Sequence, residues 1–183
     1  MVMARIDSQR FERDVMPHLD AGYNLARWLT RNSHDAEDVL QDACVRAMSY
    51  LHALRESSAR AWFLTVVRHA CYDWLKRNRP AEVSAGVDSA AALASMPDPA
   101  APDPLQVAIR HAETRALADA LETLPLAYRE VLVLREFDEL SYKEIARVVD
   151  VPVGTVMSRL SRARSLLQRS PLLRAIDASG GAR

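Results

Sequence analysis

The chain has 183 residues, 24 basic and 24 acidic, for a formal net charge of zero, and its 49% apolar content is enough for one folded domain or two small ones. No apolar run approaches the roughly 18 to 20 residues of a membrane span, and the charged start MVMARIDSQRFERD offers no signal-peptide core. Two cysteines far apart, Cys44 and Cys71, make neither a zinc site nor a disulfide framework.

The zero average hides a pattern. From Val151 to Arg183 six Arg stand against one Asp, a local +5, and from Arg60 to Arg79 five cations stand against one Asp, a local +4. Between Ala81 and Ala112 four acids face one base, a local −3. Two basic islands flank an acidic stretch, which fits a binder of something negatively charged better than the net charge does.

Abundant Ala, Leu, Val and Arg favour helix over sheet, so an all-α fold is expected. A first helix is predicted from Ser8 to Thr30, with Phe11, Val15, Leu19, Leu25 and Trp28 inward and Pro17 able to kink or divide it. A second starts at Ser33 as N-cap, with Asp35, Glu37 and Asp38 at the positive end of its dipole and Val39, Leu40, Ala43, Ala47 and Leu51 on its apolar side. A third runs from about Ser58 to Asn78. Trp62, Val66, Ala70 and Trp74 form its apolar stripe, while Thr65, Arg68, His69, Tyr72 and Lys76 share a polar face.

Residues 81–104 carry small side chains and four prolines, and read as a flexible Pro/Ala-rich linker. Residues 1–80 and 105–183 are then two small helical domains on a string. The second opens with a helix from about Pro104 to Thr123, followed by Ala127–Phe137, Ser141–Val149 and Val153–Gln168.

SYKEIARVVDVPVGTVMSRLSRAR has the order of a helix-turn-helix. Ser141 and Glu144 make a capping box, Asp150-Val151 the turn, and Pro152 the start of the next helix. Val153, Val156 and Leu160 point inward, leaving Thr155, Met157, Ser158, Arg159, Ser161 and Arg162 outward. Small hydroxyls allow close approach to a major groove and arginines reach phosphates or guanine edges, so this surface reads as DNA-binding rather than as a solvated basic helix.

In SSARAWFLTVVRHACYDWLKRNR, aromatics interleave with cations, a composition suited to unstacked single strands. Trp62 and Trp74 read first as core. Arg68, His69, Tyr72 and Lys76 are the contact candidates. Asp35, Asp38 and Asp42 share one helix face, either as dipole-stabilising acids or as a docking face for a basic partner.

Taken together, DAEDVLQDACVRAMSYL, RAWFLTVVRHACYDWLKR and LPLAYREVLVLREFDELSYKEIARVVDVPVGTVMSRLSRAR resemble the extracytoplasmic-function (group IV) sigma factors of bacteria. The resemblance implies a cytoplasmic transcription initiation factor, not an enzyme, with no cofactor and no metal. Its implied partners are RNA polymerase core (clamp helices of the largest subunit, flap of the second), promoter DNA and an anti-sigma factor, with no membrane insertion. It implies that residues 1–80 are sigma region 2, with Asp35, Asp38, Gln41, Asp42 and Arg46 meeting polymerase. Arg55, Ser57, Ser58, Arg60, Arg68, His69, Tyr72 and Lys76 would then meet the −10 element, where a flipped base is trapped. Residues 105–183 would be region 4, with Thr155, Met157, Ser158, Arg159, Ser161, Arg162 and Arg164 at the −35 duplex. Met157 stands where the family often has a cation, and His69 where Asn is frequent, which bears on the DNA sequences read and not on the role.

Two rivals are weaker. A stand-alone operator-binding dimer leaves the acidic second helix and the aromatic third helix without a task. A nuclease would need a metal-holding carboxylate cluster or a nucleophile with its base, and neither pattern stands out.

Overall fold

The computed structural model describes residues 2–54, 59–84 and 115–171, with side chains from Ser8 onward, and they contain helices and no strand. The helices are α1 (Val2–Asp14), α2 (Leu19–Thr30), α3 (Ser33–Ser49), α4 (Ala59–Asn78), α5 (Pro80–Ser84), α6 (residues 115–123), α7 (Leu126–Glu136), α8 (Tyr142–Val149) and α9 (Val153–Arg169).

The helix expected from Ser8 to Thr30 is two. A 3-10 turn, Met16–His18, separates α1 from α2 with Pro17 inside it, where a residue without an N–H interrupts the α ladder. Asn32, not Ser33, caps α3: its side-chain oxygen accepts the N–H groups of His34 at 2.8 Å and Asp35 at 3.1 Å. The reason is backbone geometry. Arg31 closes α2 at a left-handed φ of 60°, which leaves Asn32 extended at φ −148°, as an N-cap requires.

Helices α2, α3 and α4 form the first core around Leu25, Leu29, Ala36, Val39, Ala43, Phe63, Leu64 and Val67. Gly22 lets α2 lie close to α4. A Cβ there would stand 2.8 Å from Phe63 Cε1 and 3.1 Å from Leu40 Cδ1.

The buried face of α4 is Ala61, Phe63, Leu64, Val67, Ala70, Cys71 and Leu75, while Trp62, Val66 and Trp74 of the expected stripe are only half-buried. Helix α4 packs against α2 and α3 on one side and against α8 on another. Apolar residues therefore surround most of it, and a single stripe is not its signature.

The two helical modules expected from the sequence also meet each other. Helix α7 lies on α2 and α8 on α4, so the two modules share an interface. Trp28 meets Phe137 there, ring centroids 5.5 Å apart. Residues 80–84 form α5, and its Glu82 pairs with Arg31 at 3.4 Å, Arg79 at 3.5 Å and Arg129 at 3.4 Å.

Arg129 is wholly buried, and its Nη1 donates to the carbonyls of Glu122 (3.0 Å) and Leu124 (3.2 Å) at the end of α6, filling the acceptors a helix C-terminus leaves open. Burial, with Arg31 nearby, pushes its pKa down to about 10, against the pull of Glu82 and Glu122.

In the second module α7, α8 and α9 pack together through Val131, Leu134, Ile145, Val148, Val156, Leu160 and Ala163. The capping box forms as expected: Ser141 Oγ accepts the Glu144 N–H at 3.3 Å and Glu144 Oε2 accepts the Ser141 N–H at 2.8 Å. Asp150 closes α8 at a left-handed φ of 53° and Pro152 starts α9. Val153, expected inward, is exposed in an open hollow beside Lys143, Ala146 and Arg147.

Candidate nucleic-acid interface

Helix α9 is set by its apolar residues. Val156, Leu160 and Ala163 seat it against the module, which turns Met157, Ser158, Ser161, Arg162 and Arg164 to solvent, with Thr155 and Arg159 half-buried at the edges. Met157, Ser161 and Arg164 line a shallow groove with Tyr142 and Gln168.

Ser158 Oγ donates back to the Thr155 carbonyl at 2.9 Å. Arg162 donates to Tyr128 Oη at 3.4 Å, and Arg164 to Glu136 Oε1 at 2.7 Å. The Arg164 pair is surface-exposed, and water and salt keep such pairs weak enough for a phosphate to compete.

The polar face of α4 meets a different fate. Arg55, Ser57 and Ser58 lie outside the described residues. Arg60 faces Asp138 at 3.8 Å. Arg68 Nε donates to Glu130 Oε1, Tyr72 Oη donates to Glu130 Oε2 at 3.2 Å, and the Arg68 guanidinium lies 4.4 Å from the centre of the Tyr72 ring. Thr65 donates to the Ala61 carbonyl at 2.8 Å, while His69 and Lys76 are exposed.

Burial pushes Glu130 above the ordinary carboxylate range against the pull of Arg68, and pushes the Tyr72 phenol up with help from the Glu130 charge. Burial would lower Arg68, yet Glu130 holds it above the ordinary value. Glu130 and Asp138 were no part of the sequence reading. A Glu inside REVLVL, flanked by residues all destined for burial, was the available signal.

On α3, Asp38, Gln41 and Asp42 are exposed and Asp35 is half-buried, its N–H held by Asn32. Arg46 bridges Asp42 at 2.7 Å and Asp73 of α4 at 2.6 Å, a tie between helices that lowers the Asp73 pKa chiefly through the Arg46 hydrogen bond. Beside the acids stand Val45 (67% exposed), Met48 (48%) and Tyr50 (60%), an apolar continuation of the face that charge reading alone did not find.

Among the described residues no group of three or more His, Cys, Asp or Glu could hold a metal ion, and no helix is long and apolar enough to cross a membrane.

Comparison with known proteins adds family and fold. The family Sigma-70 region 2 matches residues 15–81, and Sigma-70, region 4 matches residues 114–167. The chain is 31% identical over 157 residues to the ECF RNA polymerase sigma factor SigE of Mycolicibacterium smegmatis, covering 84% of this chain and 58% of that one. It is 31% identical over 147 residues to the ECF RNA polymerase sigma factor SigM of Bacillus subtilis, covering 80% and 85%. Among solved structures, the sigma factor RpoE in complex with the anti-sigma factor NepR from Bartonella quintana matches with a TM-score of 0.67 at 27% identity, covering 90% of this chain and 96% of that one.

Proposed function

The chain belongs to the extracytoplasmic-function RNA polymerase sigma factors, and from that premise we propose that it docks on polymerase core and carries it to promoters by reading a −10 and a −35 element. Residues 1–80 act as region 2. The α3 face of Asp38, Gln41 and Asp42, extended by Val45 and Met48, meets the clamp helices of the largest subunit, and the polar face of α4 meets the opened −10 strand. Residues 105–183 act as region 4. Helix α9 enters the −35 major groove with Thr155, Met157, Ser158, Arg159, Ser161, Arg162 and Arg164, against the flap of the second subunit.

The observation that carries this is one chain holding both an acidic and apolar helix face and a helix-turn-helix whose second helix offers hydroxyls and arginines. Mounted together on the enzyme, two weak DNA-reading modules reinforce each other through effective concentration. No covalent step is assigned to the chain. It works in the cytoplasm, within the group IV class, and is restrained by an anti-sigma protein, a partner supported by the complex in which the RpoE relative was solved.

Run-off transcription with core polymerase over the promoters of the source genome tests the reading. Transcripts that depend on the added chain are expected. A total lack of stimulation overturns it.

A further inference from the structure

A hollow of about 720 Å³ opens where the starts of α2 and α4 meet the turn after α7. Asp20, Tyr23 and Asn24 of α2, Arg60 of α4, and Phe137 with Asp138 of the turn line it. That volume falls in the range of small-molecule sites, and the wall is made as theirs are, of aromatic surface with a few convergent polar groups.

Asp138 is the group the fold leaves unsatisfied. The residue is 2% exposed, and its Oδ2 has no hydrogen-bond partner. Asn24 supplies the hydrogen bond described to its carboxylate. Arg60 stands 3.8 Å away, beyond hydrogen-bond reach, with 41% of its side chain exposed. Each carboxylate oxygen can accept two hydrogen bonds, so a buried one left bare is a cost to the folded chain. Buried groups of this kind call for a partner, and they gather at binding sites.

The charge around the hollow decides what can enter. Two carboxylates, Asp20 and Asp138, face one guanidinium, Arg60. His18 lines it too, and burial, then Arg60, push its pKa below the ordinary value. The balance is negative, which favours a cation and disfavours a phosphate. A planar cation with two parallel N–H groups meets a carboxylate as a bidentate pair. Tyr23 and Phe137 offer ring surface to the rest of such a molecule.

We propose that this hollow binds a small organic cation of the amidine or guanidine class, anchored by Asp138. Of the residues named around it, only Arg60 is shared with the proposed −10 contacts. Neither the polymerase nor the promoter assignment enters the argument, so the site and the sigma-factor reading fail separately.

The probe is benzamidine, titrated against the full chain at pH 8, above the Asp138 pKa of about 6. Melting temperature and saturation-transfer NMR of the ligand follow the binding, and neutral benzamide, of nearly the same shape, is the control. Benzamidine is expected to raise the melting temperature saturably and to bind roughly tenfold or more tightly than benzamide, as a charge-assisted pair with a buried carboxylate implies. Asp138→Asn keeps the side-chain shape and is expected to erase that preference. Asp20 is exposed, so Asp20→Asn should lower the preference by no more than about threefold.

Equal binding of the two compounds to the parent chain overturns the proposal, a comparison that needs no variant. A preference that survives Asp138→Asn, or that Asp20→Asn removes, also overturns it, since the cation then sits on another carboxylate.

Discussion

Arg68 of α4 and Glu130 of α7, 62 positions apart in the chain, form an ion pair whose carboxylate is wholly buried. Both hydrogen bonds described to the Glu130 carboxylate come from the other module, so the pair couples two bodies that the sequence presents as separate. A double-mutant cycle of Arg68→Ala and Glu130→Ala, followed by urea unfolding, is expected to give a coupling of roughly 1–3 kcal/mol. Arg68→Ala alone should cost more than the double variant, because it leaves an uncompensated charge inside.

Asp138 gives the interface a pH dependence. Burial pushes its pKa up to about 6 from an ordinary 3.8, against the pull of Arg60 and a hydrogen bond from Asn24, and Oδ2 is without a described partner. An acid with a raised folded-state pKa holds its proton more tightly when folded, so its charged form penalises the fold above pH 6. The penalty fades as the pH falls through 6 toward 3.8. Asp138→Asn is therefore expected to be the more stable chain at pH 7, by about 1 kcal/mol, with the gap narrowing as the pH falls below 6 and closing only below 3.8. The difference between the two melting curves isolates this group from His18, whose burial lowers its pKa and opposes the trend.

Binding to DNA and to polymerase should separate by mutation. Arg162→Ala is expected to weaken −35 duplex binding by the assembled enzyme by about 1–3 kcal/mol while leaving core binding unchanged. Asp42→Arg should weaken core binding and leave the fold intact, since Asp73 still holds Arg46 at 2.6 Å. Co-elution with core and filter binding of the holoenzyme read the two effects.

Gly22→Ala tests the contact of α2 with α4. Alanine favours an isolated helix by about 1 kcal/mol over glycine, but the new methyl meets Phe63 Cε1 at 2.8 Å and Val67 Cγ2 at 3.2 Å. Overpacking of this kind costs roughly 1–3 kcal/mol. A lowered melting temperature is expected despite the better helix former.

Ser141→Ala removes a hydroxyl that accepts the Glu144 N–H and donates to its carboxylate at 2.6 Å. A loss of about 1 kcal/mol is expected. Hydrogen exchange should place it in α8, ahead of the recognition helix.

The helix-turn-helix was legible because each of its signals is local. The capping box, the turn at Asp150 and the apolar spacing of Val156 and Leu160 sit within a few residues of one another, and each formed. The α3 cap moved by one residue because the left-handed Arg31, which no neighbouring glycine announced, decided where extended backbone fell.

Module closure was beyond reach. It depends on pairs such as Arg68 with Glu130 and Arg27 with Glu122, and spacing along a chain does not say which distant charges meet. The same blindness misread α4. Its two indoles looked like a core stripe only if one neighbour was assumed, and the helix has neighbours on more than one side.

Cys71 lies wholly buried on α4, its thiol pushed far above the ordinary value by burial and by the nearby Glu130 charge; burial raises Cys44 as well. A cysteine attacks as thiolate, so peroxide finds no ready thiolate at either cysteine of the folded protein. The pace at which an alkylating reagent captures Cys71 then measures how often this core breathes, a clock already written into the polypeptide.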